Sequence, residues 1–257
     1  MDVCHNTISS CGNGITHEDF GDGDGGNPEE INIIGNTMVD IGYPYNTSSP
    51  VPAELGLAFN KPTNCTISNN TILNCSGTCI RLSGADDVSV MGNTLTGYPA
   101  DPKSTANTAN GIQLNARVDP VTSAIKYCTG VQVIGGSVKS VRDRGVWIET
   151  LSTKIKVIGV NVQTDTKSGI RVDTATDNVT IRDNDIDAGN GVDLELFSGS
   201  TNLRVKDNNP VNQVVDYRTF AGNPTGTITP RIRGEDLLDS TNNAWYKAYG
   251  LTSSDWA

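Results

Sequence analysis

The feature that most constrains this chain is a fixed internal step. The segments VQVIGGSV, IKVIGVNV, VTIRDNDI and LRVKDNNP begin at Val131, Ile155, Val179 and Leu203, 24 residues apart each time. INIIGNTM at Ile31, CTISNNTI at Cys65 and VSVMGNTL at Val88 carry the same pattern, and VCHNTI at Val3 joins it from its third position. A period in the twenties marks a solenoid, whose units bury their apolar sides only against their neighbours. Each unit opens with a strand of alternating apolar and polar residues, turns at Asn or Gly, and later shows Gly-apolar-x-apolar. Alternation of period two belongs to strands with one inward face. No segment sustains the helical period, so helical and leucine-rich repeats do not fit. The pattern predicts an all-β chain, a right-handed parallel β-helix of two to three short strands per turn. Its coils should stack about 4.8 Å apart.

That architecture assigns places to particular residues. Ile33, Ile67, Val90, Val133, Val157 and Ile181 should line the core. Cys11, Ile41, Cys75 and Val141 form a second inward column. The corner Asn recurs as Asn6, Asn36, Asn70, Asn93, Asn184 and Asn208, with Gly136 and Val160 in its place in the middle coils. Asn tolerates left-handed corners and can hydrogen-bond the next coil, so its role is structural. The cysteines Cys4, Cys11, Cys65, Cys75, Cys79 and Cys128 show no zinc spacing. They are expected as buried free thiols, in keeping with assembly in a reducing cytoplasm. Insertions at 42–54, 98–110 and 116–127 should leave the solenoid as loops walling a binding face.

Charge and hydropathy narrow the partners. The net charge is −10, which argues against a nucleic-acid or anionic-membrane binder, since both need clustered Lys and Arg. No apolar run approaches the roughly 20 residues that span a bilayer. No cofactor motif or phosphate loop is visible.

The candidate chemistry lies in a thrice-written motif. GVWIET, GIRVDT and GVDLEL start at Gly145, Gly169 and Gly191. With the glycine opening each strand and the apolar residues inward, two outward columns follow. One runs Thr16, Ala58, Arg81, Gln113, Trp147, Arg171, Asp193. The other runs Glu18, Asn60, Ser83, Asn115, Glu149, Asp173, Glu195. Glu149, Asp173 and Glu195 would then stand in a row, one per coil. Neighbouring members about 5 Å apart suit a retaining glycosidase, with one carboxylate as nucleophile and one as acid/base. Glu149 and Glu195, two coils apart, would approach an inverting pair. A lyase would use a base such as Arg171, often with a metal, for which the acid row could supply calcium ligands. Arg171, Trp147, Gln113, Asn115, Arg81 and Asp193 are the expected sugar-binding residues. The competing expectation is a solvated acidic surface. Arg142, Asp143 and Arg144 are expected to form a salt-bridged corner, and His17 falls at an inward position.

Residue 1 already falls inside the repeat, which is the expectation for an internal start or a piece of a longer protein. The rhythm stops near residue 209. The segment 1–209 is therefore assigned to the β-helix and 210–257 to a small C-terminal β-hairpin module for capping or trimerisation. Its turn is placed at Thr241–Asn243, between LLDS and AWYKAYG.

The INIIGNT, CTISNNT and VTIRDND ladder resembles the pectate-lyase-like right-handed β-helix superfamily. The closing TPRIRGEDLLDSTNNAWYKAYGLTSSDW resembles the C-terminal β-module of many bacteriophage tail spikes. The resemblance implies the C-terminal part of a homotrimeric tailspike of the virion tail, which binds and often cleaves a bacterial capsular or O-antigen polysaccharide. A non-catalytic receptor-binding adhesin and a secreted polysaccharide lyase or epimerase are the alternatives.

Overall fold

The computed structural model describes residues 1–17, 28–42, 55–98, 109–119, 122–164, 167–189, 191–197 and 199–209, with shorter pieces of 214–257. Among them there is no α-helix. Short strands wind into three parallel sheets of eight, seven and eight strands. The first sheet stacks Asp2–Cys4, Asn32–Ile34, Thr66–Ser68, Ser89–Met91, Gln132–Ile134, Lys156–Ile158, Thr180–Arg182 and Arg204–Lys206. The second holds the strands that follow the Asn corner, from Thr7–Ser9 to Asp185–Asp187. The third runs from Ile15–His17 through Arg144–Ile148, Ser168–Val172 and Val192–Leu196 to Val214–Asp216. From Val131 onward the register advances by the 24-residue step, as in Gln132↔Lys156 and Lys156↔Thr180. The sequence period is thus the circumference of one coil.

The core is the sum of the inward columns. Ile33, Ile67, Val90, Val133, Val157 and Ile181 are each at most 1% exposed. Ile41, Cys75 and Val141 are equally buried, while Cys11 at the first coil is half-buried. Four of the six thiols are buried, all six are free, and Cys4 and Cys11 are half-buried. Burial pushes the Cys128 thiol up to about 12. A hydrogen bond with Cys75, with burial second, raises Cys79 as well. Both effects hold these sulfurs as inert, apolar filling. His17 pairs with Phe59 in an inward column.

The Asn corner does what its chemistry suggests. Asn36 Oδ1 accepts from the Asn6 backbone N–H at 2.9 Å, Asn70 Oδ1 from Asn36 N–H at 3.0 Å, and Asn93 Oδ1 from Asn70 N–H at 2.9 Å. Each Nδ2 reaches back to the preceding coil, for example from Asn70 to the Ile33 carbonyl at 2.8 Å. Asn36, Asn70, Asn93 and Asn184 are buried, so these bonds satisfy backbone groups that water does not reach. The ladder breaks at Gly136, whose φ is +85 and where a Cβ would lie 2.3 Å from the Asn93 carbonyl oxygen. It resumes where Val160 N–H donates to Asn184 Oδ1 at 2.9 Å.

The insertion after Asn115 forms an antiparallel pair, Arg117–Val118 with Ile125–Lys126. It is tied to the coils by Lys61 Nζ on Asp119 at 2.7 Å. The loop readings for 43–54 and 99–108, and Glu18, lie outside the described residues. In the closing segment Asp236–Asp239 pairs antiparallel with Ala244–Lys247, the expected hairpin, and Thr219–Phe220 adds a parallel third strand. Its turn lies outside the described residues.

Asn70→Ala removes a cross-coil acceptor and two donors from a dry corner. It should destabilise the β-helix by about 2–4 kcal/mol, each orphaned buried group costing about 1–3 kcal/mol. Asn32→Ala, which loses only an exposed bond to Asp2, should stay within about 0.5 kcal/mol. Urea unfolding of the two variants checks the contrast.

Candidate functional site on the third sheet

The glycine of the repeated motif has a steric cause. A Cβ on Gly111, Gly145 or Gly169 would lie 2.1–2.2 Å from Val138, Val162 or Ile186 of the second sheet. It would also lie 2.5–2.6 Å from a carbonyl oxygen of the next coil. Only glycine lets the chain turn this closely between the two sheets.

Glycine is nevertheless a false register mark in the last motif. Gly169 stands against Asp193, not Gly191, and the pairing runs Ser168↔Val192, Ile170↔Leu194, Arg171↔Glu195 and Val172↔Leu196. The 24-residue step is kept, whereas GVDLEL sits 22 residues after GIRVDT. Inward packing of Ile170 on Leu194 and Val172 on Leu196 decides the register. This corrects the expected columns. The first runs Ala58, Arg81, Gln113, Trp147, Arg171, Glu195. The second runs Asn60, Ser83, Asn115 and continues through Glu149, Asp173 and Phe197, since Glu149, Asp173 and Phe197 N–H donate to Leu114, Ile148 and Val172 carbonyls at 2.9 Å. Glu149 and Asp173 are stacked neighbours as expected. Glu195 is diagonal to Asp173, above Arg171. Asp193 leaves the face altogether: it is 4% exposed and its Oδ1 accepts from the Ala188 N–H at 2.9 Å.

The side chains interlock across three coils. Asp173 accepts from Trp147 Nε1 at 2.9 Å on one oxygen and from Arg171 Nε at 2.6 Å on the other. Arg171 also reaches Glu195 at 3.5 Å, and Ser168 Oγ donates to the same Glu195 oxygen at 2.6 Å. The Arg171 guanidinium lies 4.3 Å from the Phe197 ring centre and 5.7 Å from that of Trp147. Arg144 covers Trp147 at 4.3 Å. These are stacking distances for cation–π contacts. Asp143 is buried and bridged by Arg144 at 2.7 Å and by Lys167, so the salt-bridged corner is present, with Lys167 as a further member.

Glu149 differs from its neighbour. It accepts from Gln113 Nε2 at 2.8 Å. Burial raises its pKa above the usual carboxylate value, and the Asp173 charge adds to this. Hydrogen bonds from Gln113 and the Ala116 backbone, together with the Arg144 charge, oppose it without cancelling it. Asp173, by contrast, is held in an ion pair. Two adjacent carboxyls in unlike environments can divide acid and base roles. Arg81 and Asn115 continue the face toward the N-terminal coils, where Ser83 Oγ donates to Asn115 Oδ1 at 2.8 Å. Among the described residues no group of three or more His, Cys, Asp or Glu could hold a metal ion, so the acid row does not converge as a cation cage.

Sequence reasoning missed Ser168, Phe197 and the stacking role of Arg144. Phe197 was within reach, because it lies 24 residues after Asp173. The contact of Ser168 with Glu195 was not, because it depends on where a side chain bends.

A family profile described as "Right handed beta helix region" matches residues 55–223. The chain belongs to this right-handed β-helix family. Comparison with curated proteins gave no match. Among solved structures, the surface protein and adhesin PfbA of Streptococcus pneumoniae is similar at 13% identity and a TM-score of 0.32. The match covers 80% of this chain and 72% of that one. Among the described residues no helix is long and apolar enough to cross a membrane.

The raised Glu149 pKa has a sign in stability. The native state holds this proton more tightly than the unfolded chain, so the contribution is full below the unfolded value near 4.5 and is lost as pH rises through the native value. Glu149→Gln lacks this titration. Its Tm relative to the parent chain should therefore rise as pH is raised from 4 to about 7. Thermal unfolding of both proteins across that range reads the difference.

Proposed function

We propose that the outward face of the third sheet binds a bacterial surface polysaccharide and that Glu149 and Asp173 cleave it by glycoside hydrolysis. The observation that carries this is the unlike pair one coil apart. Strand spacing of about 4.8 Å sets their backbone separation, near the 5–5.5 Å between carboxyls of a retaining pair. Glu149, protonated more readily than an ordinary glutamate, donates its proton to the leaving glycosidic oxygen. Asp173, aimed by Trp147 and Arg171, attacks the anomeric carbon and forms a glycosyl ester. Each carboxylate oxygen carries two lone-pair sites, so the bonds that orient Asp173 leave one free to attack. Water, deprotonated by Glu149, then releases the sugar and restores both groups. Glu195 and Ser168 hold Arg171 in place, and Arg81 and Asn115 extend the sugar-binding face. The chain would serve in a homotrimeric phage tailspike, acting outside the host on capsule or O-antigen. The support for this is the resemblance of the closing segment.

A second reading is binding without cleavage, as in an adhesin. It is favoured by the fact that Glu149, Asp173 and Glu195 each already accept a bond from protein donors.

Purified protein should release reducing ends from host capsule or O-antigen. Glu149→Gln should lower the rate by roughly 10²–10⁴-fold for leaving groups that need protonation, and Asp173→Asn should abolish release, while both still bind the glycan. Undiminished cleavage by Asp173→Asn would sink the acid-pair reading. Binding with no release by the parent chain would establish the adhesin reading, and ultraviolet-absorbing unsaturated products would establish a lyase. Light scattering should give three times the chain mass.

A further inference from the structure

We propose that Gln113 is a positioning residue that acts through Glu149, its side-chain amide lying with the oxygen toward Asn110 and Thr78 and the N–H toward the carboxylate. This rests on the catalytic reading of Glu149 but differs from the sequence expectation that Gln113 holds sugar.

The argument starts from what the amide can do. Gln113 presents one acceptor oxygen and an NH₂ group, and either end could face Glu149. Its Oε1 lies 3.4 Å from Asn110 Nδ2 and 3.5 Å from Thr78 Oγ1. These contacts are long, and both come from residues at most 1% exposed; the Asn110 amide supplies a proton, while the Thr78 hydroxyl suits either end of Gln113. With the oxygen committed there, Nε2 is left pointing at Glu149 Oε1, 2.8 Å away. The reversed amide would set oxygen against carboxylate and NH₂ against NH₂. Asn110 and Gln113 belong to one coil, Thr78 to the coil before and Glu149 to the coil after. Stacking alone therefore builds the relay.

Its consequence is chemical. A general acid must hold its proton until the leaving group needs it and then stay deprotonated as a base for water. The groups facing Glu149 pull in both directions. Burial and the Asp173 charge in the next coil disfavour its anion, whereas the Ala116 backbone and Arg144 favour it. Gln113 is the uncharged side-chain donor in this set. It stabilises the glutamate anion after proton transfer without adding a charge that would block protonation. It also holds the Oε1 end of the carboxyl in place.

The test is the titration of Glu149 itself, followed by carbon NMR of side-chain carboxyls in the intact chain, using Glu149→Gln to assign the resonance. In Gln113→Met the Glu149 titration should move to higher pH, because a donor to the anion is lost. Gln113→Asn, which keeps the amide on a shorter arm, should shift it the same way and serves if the first variant folds poorly. On a cleavable glycan, the alkaline limb of the pH–kcat profile should follow the same shift with KM little changed. An unmoved Glu149 titration in folded variants would overturn the proposal. So would a rise in KM with an unmoved pH profile, which marks direct sugar contact. If the titration moves but no glycan is cleaved at any pH, the positioning of Glu149 stands and the hydrolase reading falls.

Discussion

Everything in this molecule depends on parallel backbone pairing between successive coils at constant register. One ladder bond contributes only about 0.5–1.5 kcal/mol net, and a single coil has almost no interior. Stacked coils share continuous aliphatic columns, and each column is removed from water by its neighbours above and below. The same pairing turns sequence distance into spatial order. From Val131 onward residues 24 apart pair, so an outward side chain of the third sheet meets the equivalent side chain of the next coil, as Trp147 meets Arg171 and Arg171 meets Glu195. Placing a carboxyl beside a carboxyl, or an indole beside a guanidinium, then needs no special fold.

That order explains both the stability devices and the site. At the corner after the first sheet, like residues are an advantage: Asn on Asn closes a hydrogen-bond ladder in which the amides of Asn36, Asn70 and Asn93 each give and accept. On the third sheet, like charges would repel, and the chain answers with alternation. Arg171 lies between Asp173 and Glu195, Trp147 spans to Asp173, and Arg144 covers the indole. The exception is the Glu149–Asp173 step, where two carboxyls adjoin and the amide of Gln113 stands in place of a cation on one side of Glu149. On the catalytic reading proposed above, that step is where the acid chemistry takes place.

The fold was legible because the period and the alternation say the same thing, and Ile33, Ile67, Val90, Val133, Val157 and Ile181 fall in the core for that reason. The site was legible in part. Glu149, Asp173, Trp147 and Arg171 come together because their spacing equals the coil or nearly so. Asp193 and Glu195 were displaced because Gly191 imitates the motif glycine two residues out of step, and only packing of Leu194 and Leu196 reveals the true register. Hydrogen-bond partners such as Ser168 on Glu195 depend on side-chain rotamers, which leave no periodic trace in a sequence.

The central claim is that sugar lies on the third sheet with its scissile bond at the Glu149–Asp173 step. A crystal structure of the Asp173→Asn protein with a host-derived oligosaccharide tests it directly. The account predicts a glycosidic oxygen within hydrogen-bond reach of Glu149 and the adjoining anomeric carbon facing residue 173. Sugar bound on another sheet, or at the loops with the acid pair empty, would contradict it.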